Sequence, residues 1–227
     1  TLQRYRKQDS RITIIRHERN GGLPAARVNE AILLARGEYI AYQFDDDEWE
    51  PDCLETLYGE VLRQGAQCAV YGTCHASIRR QDGSVQRSNI GRVFDYSLLQ
   101  SGNYIANNSI LHPKSVLEQC GMYDPHVLVR RLSDYDLWLR MARKLKFVWV
   151  DKVVSNVYAG EKHSLAESDG IVLKHYVKLR QYLEINRESM LTPEAISRYE
   201  VDGTAHLAPG LSQREIDEWS RSVIVPY

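Results

Sequence analysis

The stretch Glu38-Tyr39-Ile40-Ala41-Tyr42-Gln43-Phe44-Asp45-Asp46-Asp47-Glu48-Trp49-Glu50-Pro51 passes from a β-rich run, through four consecutive acids, to a proline. Glu38 to Gln43 predicts a strand, Asp45 to Glu50 an acidic loop, and Pro51 the opening of a helix that runs to about Arg63. Upstream, Arg11 to His17 predicts another strand, followed by the turn signal Asn20-Gly21-Gly22. Pro24 suits the first turn of a helix, and Ala25 to Ala35 carries Ala, Ile and Leu at helical spacing until Gly37 supplies a stop. Downstream, Gln67 to Cys74 reads as a third strand. The alternation β-α-β-α-β calls for crossover connections, hence an α/β fold with a mainly parallel sheet and helices on its faces.

Beyond that core, Ala76 to Ser88 reads as a hairpin around Asp82-Gly83, and Asn107 to His112 as a strand before a helix starting near Pro113. Ser133 precedes an amphipathic helix, Asp134 to Lys144. Phe147 to Val150 and Val153 to Tyr158 read as two further strands. From about Ser168 the pattern becomes helical, with Val172, Tyr176, Leu179 and Leu183 on one stripe, a start at Thr192-Pro193-Glu194, and a capping box at Ser212-x-x-Glu215. The expected organisation is an α/β domain over 1–165 and a helical C-terminal extension over 166–227. The extension would pack on the domain or join copies of the chain into a homo-oligomer.

Composition narrows the functional classes. The chain has 227 residues, 29 Lys+Arg against 30 Asp+Glu, and 43% hydrophobic residues. A near-neutral charge gives no footprint for nucleic acid or for anionic lipid. No apolar run approaches the roughly 18 residues that span a bilayer, and the first residues are polar and basic without an apolar leader core. Cys53, Cys68, Cys74 and Cys120 show neither C-x-x-C pairs nor finger spacing with His, so they read as buried, reduced thiols.

The acidic loop follows a strand, where ligands bind in open α/β sheets. Two unit charges about 4 Å apart repel by about 4 kcal/mol at an effective dielectric of about 20, so crowded carboxylates in a cleft want a cation. Hard oxygen donors suit Mg2+ or Mn2+. Alternatively the acids splay into water and favour the helix that begins at Pro51.

The surroundings weigh between these. Asn20-Gly21-Gly22-Leu23-Pro24-Ala25-Ala26-Arg27, then Ala35-Arg36-Gly37-Glu38-Tyr39-Ile40-Ala41, then Asp45-Asp46-Asp47-Glu48-Trp49-x-Pro51 resemble in order the central block of the family 2 glycosyltransferases of GT-A fold. Gly121-Met122-Tyr123-Asp124 and Ser133-Asp134-Tyr135-Asp136-Leu137-Trp138-Leu139-Arg140 resemble that family's second block. The likeness runs from about residue 11 to residue 160. It implies a GT-A (Rossmann-like) fold and inverting transfer of a sugar from a nucleotide-diphosphate donor, a UDP-sugar foremost, to an acceptor hydroxyl. It further implies a saccharide or lipid-linked acceptor, and a cytoplasmic location, at most peripheral to the inner membrane face.

Carried onto this chain, the resemblance places Asp45 near the donor ribose, Asp46 or Asp47 on a Mg2+ or Mn2+ ion at the diphosphate, and Arg27 near the diphosphate. Phe44 stands where many members have a first acid, which shifts the burden to Asp45 and Asp46 and leaves the ligand assignment open by one position. Val28 replaces an asparagine frequent after the arginine, with Asn29 following. An arginine's planar fork suits phosphate oxygens, although Arg27 could equally form a surface ion pair on its helix.

Asp134 and Asp136 fall in a helix's first turn, where acids gain about 0.3–1 kcal/mol from the macrodipole without any catalytic role. The resemblance assigns Asp134 as general base, since a carboxylate within about 3 Å of the attacking hydroxyl can take its proton. Asp136 then positions the segment, and Trp138 either packs or lines an acceptor pocket. Lys162 and His163, in Gly160-Glu161-Lys162-His163-Ser164, either close over the diphosphate or form a solvated loop. The family's first β-α-β segment, which binds the nucleotide base, has no counterpart before Arg11, so a longer native N-terminus is expected. That gap and Phe44 keep a non-catalytic binding or assembly module as the rival reading.

Overall fold

The computed structural model describes residues 2–17, 24–79, 82–124 and 132–159. In chain order they form α1 (Leu2–Gln8), α2 (Pro24–Leu34), β1 (Tyr39–Ala41), β2 (Asp47–Trp49), α3 (Cys53–Gln64), β3 (Cys68–Arg79), β4 (Val85–Ile90) and α4 (Tyr96–Ser101). A 3-10 turn (Asn107–Ser109), β5 (Ile110–Pro113), α5 (Val116–Cys120), α6 (Ser133–Met141) and β6 (Lys146–Ala159) follow. The expected C-terminal extension, 166–227, lies outside the described residues.

Six strands form one mixed sheet in the order β1-β5-β3-β6-β2, with β4 attached to β3. The long β3–β6 ladder is parallel, while β1–β5, β3–β5, β2–β6 and β3–β4 are antiparallel. Parallel pairing is therefore confined, among the described residues, to one ladder. The β3–β4 hairpin joins consecutive strands, so its ladder is antiparallel.

Alternation along β3 divides the core into two layers. Ala69 and Tyr71 face the side covered by α2, α5 and α6, whereas Cys68 and Val70 face α3. Leu57 and Val61 of α3 are buried completely on that second face, each contributing about 1.5–3 kcal/mol relative to exposure. The helix α3 ends on Gly65 at φ 90°, a left-handed conformation that suits a residue without Cβ, and Ala66 N–H donates to the Val61 carbonyl. All four cysteines are free and buried.

Several expectations are corrected. Residues 11–17 form no strand: β1 pairs with β5 alone, and β-propensity without a ladder partner does not hold a strand. The acidic loop is shorter than expected, because Asp47 to Trp49 pair with Ser155 to Val157 of the overlong β6. Ser133 is not an N-cap but the first residue of α6, and no side chain caps that helix. The two strands expected over 147–158 are one strand, irregular opposite Gly72. A Cβ on Gly72 would lie 2.6 Å from both Val154 methyls, so the close approach at this bulge requires glycine. Helix α1 carried no pattern strong enough to predict it; it buries no side chain.

The segment between α5 and α6 is fixed by two buried polar clamps. Arg140 Nε donates to Asp136 Oδ2 at 2.9 Å, one helical turn earlier, and its other nitrogens donate to the carbonyls of Cys120, Gly121 and Met122. These carbonyls belong to the last residue of α5 and the two residues that follow it. From the other side Asn29 Nδ2 donates to the Tyr123 carbonyl at 2.7 Å, and Tyr123 N–H returns a bond to Asn29 Oδ1 at 2.9 Å. Burial works against the Arg140 charge, but Asp136, Cys120 and Asp124 outweigh it and the guanidinium's pKa rises.

Removing one partner of a buried pair leaves the other charge uncompensated. Arg140→Ala should therefore cost about 3–5 kcal/mol in a urea titration, whereas Arg63→Ala, on an exposed ion pair with Glu60, should be close to neutral.

Candidate functional site

The acidic turn lies between β1 and β2. Gln43 Nε2 donates to the carbonyls of Phe44 at 3.2 Å and of Asp47 at 2.6 Å, and Asp47 N–H closes the turn on the Phe44 carbonyl at 3.4 Å. This leaves Asp45 and Asp46 exposed at the tip, while Asp47 is half-buried at the start of β2. Burial, reinforced by the charges of Asp46 and Asp45, pushes the Asp47 carboxyl up to about 7. Phe44 turns inward and packs against the core, so it cannot serve as the acid its position suggested.

Among the described residues, no group of three or more His, Cys, Asp and Glu side chains is arranged to hold a metal ion. Asp45, Asp46 and Asp47 put carboxylates, hard oxygen donors of the kind Mg2+ or Mn2+ takes, on one turn. Beside the turn, α2 and β1 line an apolar cleft of about 350 Å3 with Val28, Ala31, Ile32, Ile40 and Phe44. Its lining suits a flat or aliphatic group rather than a phosphate.

Arg27 sits on α2. Its Nη1 donates to Glu30 Oε2 at 2.9 Å and lies 2.8 Å from His17 Nε2, so the ion pair weighed from sequence is present. About a third of the Arg27 side chain is exposed. Asn29 does not stand in for the missing asparagine: it is 1% exposed and spent on the Tyr123 clamp.

Asp134 and Asp136, two residues apart on α6, have separate fates. Asp136 is buried and paired with Arg140. Asp134 is partly buried and accepts from Asn103 Nδ2 at 3.3 Å at a solvent-accessible rim. Burial pushes its carboxyl up to about 6, against the pull of backbone N–H groups of α6 and of Asn103. Trp138 is completely buried among Tyr42, His112 and Tyr123, which corrects the idea that it lines an acceptor pocket. Lys162 and His163 lie outside the described residues, as do Asn20 to Leu23.

Sequence reasoning missed Asn103. Tyr123 hydroxyl donates to Asn107 Oδ1 at 2.8 Å, and Trp49 Nε1 donates to the Asn108 carbonyl at 2.7 Å. Asn108 Oδ1 in turn accepts from Ser155 at 3.1 Å. One loop thus touches the strand that carries Asp47 at one end and Asp134 at the other. The run Asn103-Tyr-Ile-Ala-Asn107-Asn108 is dense in amides, the one local signal that could have pointed to it.

Comparison with solved structures defines the fold. S. aureus TarS, residues 1–349, in complex with UDP-GlcNAc matches 97% of this chain and 65% of its own length, with a TM-score of 0.58 at 13% identity. Its complex with UDP matches with a TM-score of 0.54. The fold is that of the GT-A glycosyltransferases. The profile described as Glycosyl transferase family 2 matches residues 1–120, and the chain belongs to that family. Among curated relatives, WcaA of Escherichia coli, a glycosyl transferase named for colanic acid biosynthesis, is 30% identical over 156 residues, covering 65% of this chain. TuaG of Bacillus subtilis, named for teichuronic acid biosynthesis, is 37% identical over 83 residues, covering 37% of this chain. The chain spans 53% of the length of the first and 31% of the second. Among the described residues no helix is long and apolar enough to cross a membrane.

The raised midpoint of Asp134 has a consequence for stability. Below the ordinary value of 3.8 both folded and unfolded states hold the proton. Between 3.8 and about 6 only the folded state does, so this group's contribution to stability falls as pH rises through that window and stays low above it. Asp134→Asn, with no proton to lose, should match wild type in chemical denaturation near pH 3.5 and exceed it increasingly up to about pH 6. Parallel stability curves would contradict the shift.

Proposed function

We propose that this chain carries the catalytic core of an inverting glycosyltransferase, transferring a sugar from a nucleotide-diphosphate donor to an acceptor hydroxyl. The observation that carries the reading is Asp134. It is a partly buried carboxylate with a midpoint raised to about 6 that accepts from the Asn103 amide and from backbone N–H groups of its own helix. Such a group is ionised at neutral pH yet more basic than a free carboxylate, which suits removal of a proton from an attacking hydroxyl. Inversion requires that hydroxyl to approach the anomeric carbon from the side opposite the departing nucleotide. Asp134 acts on the acceptor side, and the acidic turn holds the donor.

Asp45 takes the donor ribose, and Asp46 with Asp47 would hold Mg2+ or Mn2+ against the diphosphate. The metal would neutralise charge on the leaving nucleotide. The half-buried position of Asp47 supports this: a cation beside it would favour the ionised form that burial and its neighbours oppose. Arg27 would add a donor to a phosphate oxygen. The UDP and UDP-GlcNAc complexes of TarS support a uridine nucleotide as donor. The names of WcaA and TuaG support a saccharide acceptor in polysaccharide assembly. The expected C-terminal extension would serve docking or self-association.

Calorimetric titration with UDP, GDP and dTDP, each with and without Mn2+, tests donor binding; one nucleotide should bind, and only with metal. Loss of a metal ligand should exceed the roughly tenfold effect of outer partners, so Asp46→Ala should weaken that binding more than tenfold. Unchanged binding would move the site to Asp47 or remove the metal. With a transferred donor in hand, Asp134→Asn should keep nucleotide affinity and lose about 10²–10⁴-fold in turnover. Near-normal turnover would sink the assignment of the base.

A further inference from the structure

Asp134 receives backbone N–H bonds from its own helix, and a side chain from a distant element completes its surroundings. Asn103 stands 31 residues earlier, just past α4, and donates through Nδ2 to Asp134 Oδ2. The other end of the amide is committed as well, since Asn103 Oδ1 accepts from Ile105 N–H at 3.1 Å. With its oxygen pinned to the backbone, the amide can present only N–H groups to the carboxylate; a flipped amide would set donor against donor and oxygen against oxygen.

The loop that carries Asn103 is anchored along its length. Tyr104 hydroxyl donates to the Asp95 carbonyl and accepts from Asp95 N–H, both at 2.8 Å. Ile105 is fully buried, and Asn107 and Asn108 are tied to Tyr123 and Trp49. A donor held on so fixed a loop is pre-organised, and its bond to the carboxylate costs little further ordering.

We propose, resting on the reading of Asp134 as base, that Asn103 is a positioning residue: its amide fixes the Asp134 carboxylate in one orientation and favours its ionised form. Asn103 takes no proton and touches no reacting atom. The other groups facing Asp134 do not duplicate it. The Tyr123 hydroxyl lies near but donates to Asn107, and Asp136 on the same helix turns to Arg140. Withdrawing the Asn103 donor leaves burial less opposed, so Asp134 would carry more proton at neutral pH and fewer molecules would hold a competent base.

Two variants separate this role from simple loop capping. Asn103→Asp keeps an oxygen for Ile105 N–H but removes the donor and places a like charge beside the base. Asn103→Ala removes both ends. Carbon-detected NMR of the full chain labelled with 13C-aspartate, with the Asp134 signal assigned by its loss in Asp134→Asn, reads the midpoint directly. Asn103→Asp should raise the upper midpoint of the resulting carboxyl pair by about one unit or more. Asn103→Ala should raise the Asp134 midpoint by less. If Asn103 only caps its loop, Asn103→Ala leaves the Asp134 midpoint where it was, and the proposal is overturned while the base reading stands. Full turnover in Asp134→Asn would overturn the base reading itself, whatever the midpoint, and this role with it.

Discussion

The geometry of the site depends on one buried cation. Arg140 reaches from α6 to three carbonyls at the end of α5 and to Asp136 on its own helix. A guanidinium so deeply placed is tolerable only because nearly every donor has a fixed acceptor. Its fork sets where α6 begins relative to the segment Gly121 to Asp124, and Asn29 locks that segment from α2. Asp136 is used up by the pairing. Asp134, on the other side of the same turn, is left facing the rim. Two aspartates that look equivalent in sequence thus separate into a structural acid and a candidate base.

Two of the four carboxylates in the proposed site sit where folding alone would not put them. Asp47 and Asp134 have midpoints raised to about 7 and about 6, each through burial first. Every such shift is free energy withheld from the folded state above the ordinary carboxylate range. Elsewhere β3 is buried on both faces, and His112 is buried, held neutral and paired with Tyr42. Sites where local cost is tolerated are where function is expected.

What the sequence made legible followed from local period and punctuation. Helices α2 and α3 lie where their prolines put them, and the β3–β4 hairpin turns at Asp82-Gly83 as its residues demanded. The pairing of Asp136 with Arg140 could be read from i,i+4 spacing. What escaped was non-local. Nothing near residue 47 announces that β6 runs long enough to recruit it into the sheet, and no pattern links Asn103 to an aspartate 31 residues on. Residues 11–17 failed in the opposite sense: a good strand composition meets no free ladder among the described residues. The acids and the division of roles between Asp134 and Asp136 were visible in the sequence; the partners that hold each of them were not.

In the proposed site the acidic turn holds the donor and Asp134 stands on the acceptor side of it. A crystal structure of the chain with UDP and Mn2+ tests it most directly. The account predicts density for a metal between the diphosphate and the Asp45–Asp47 turn, with the Asp134 carboxylate facing the open side of the terminal phosphate. Nucleotide bound away from that turn, or an Asp134 pointing elsewhere, would contradict it.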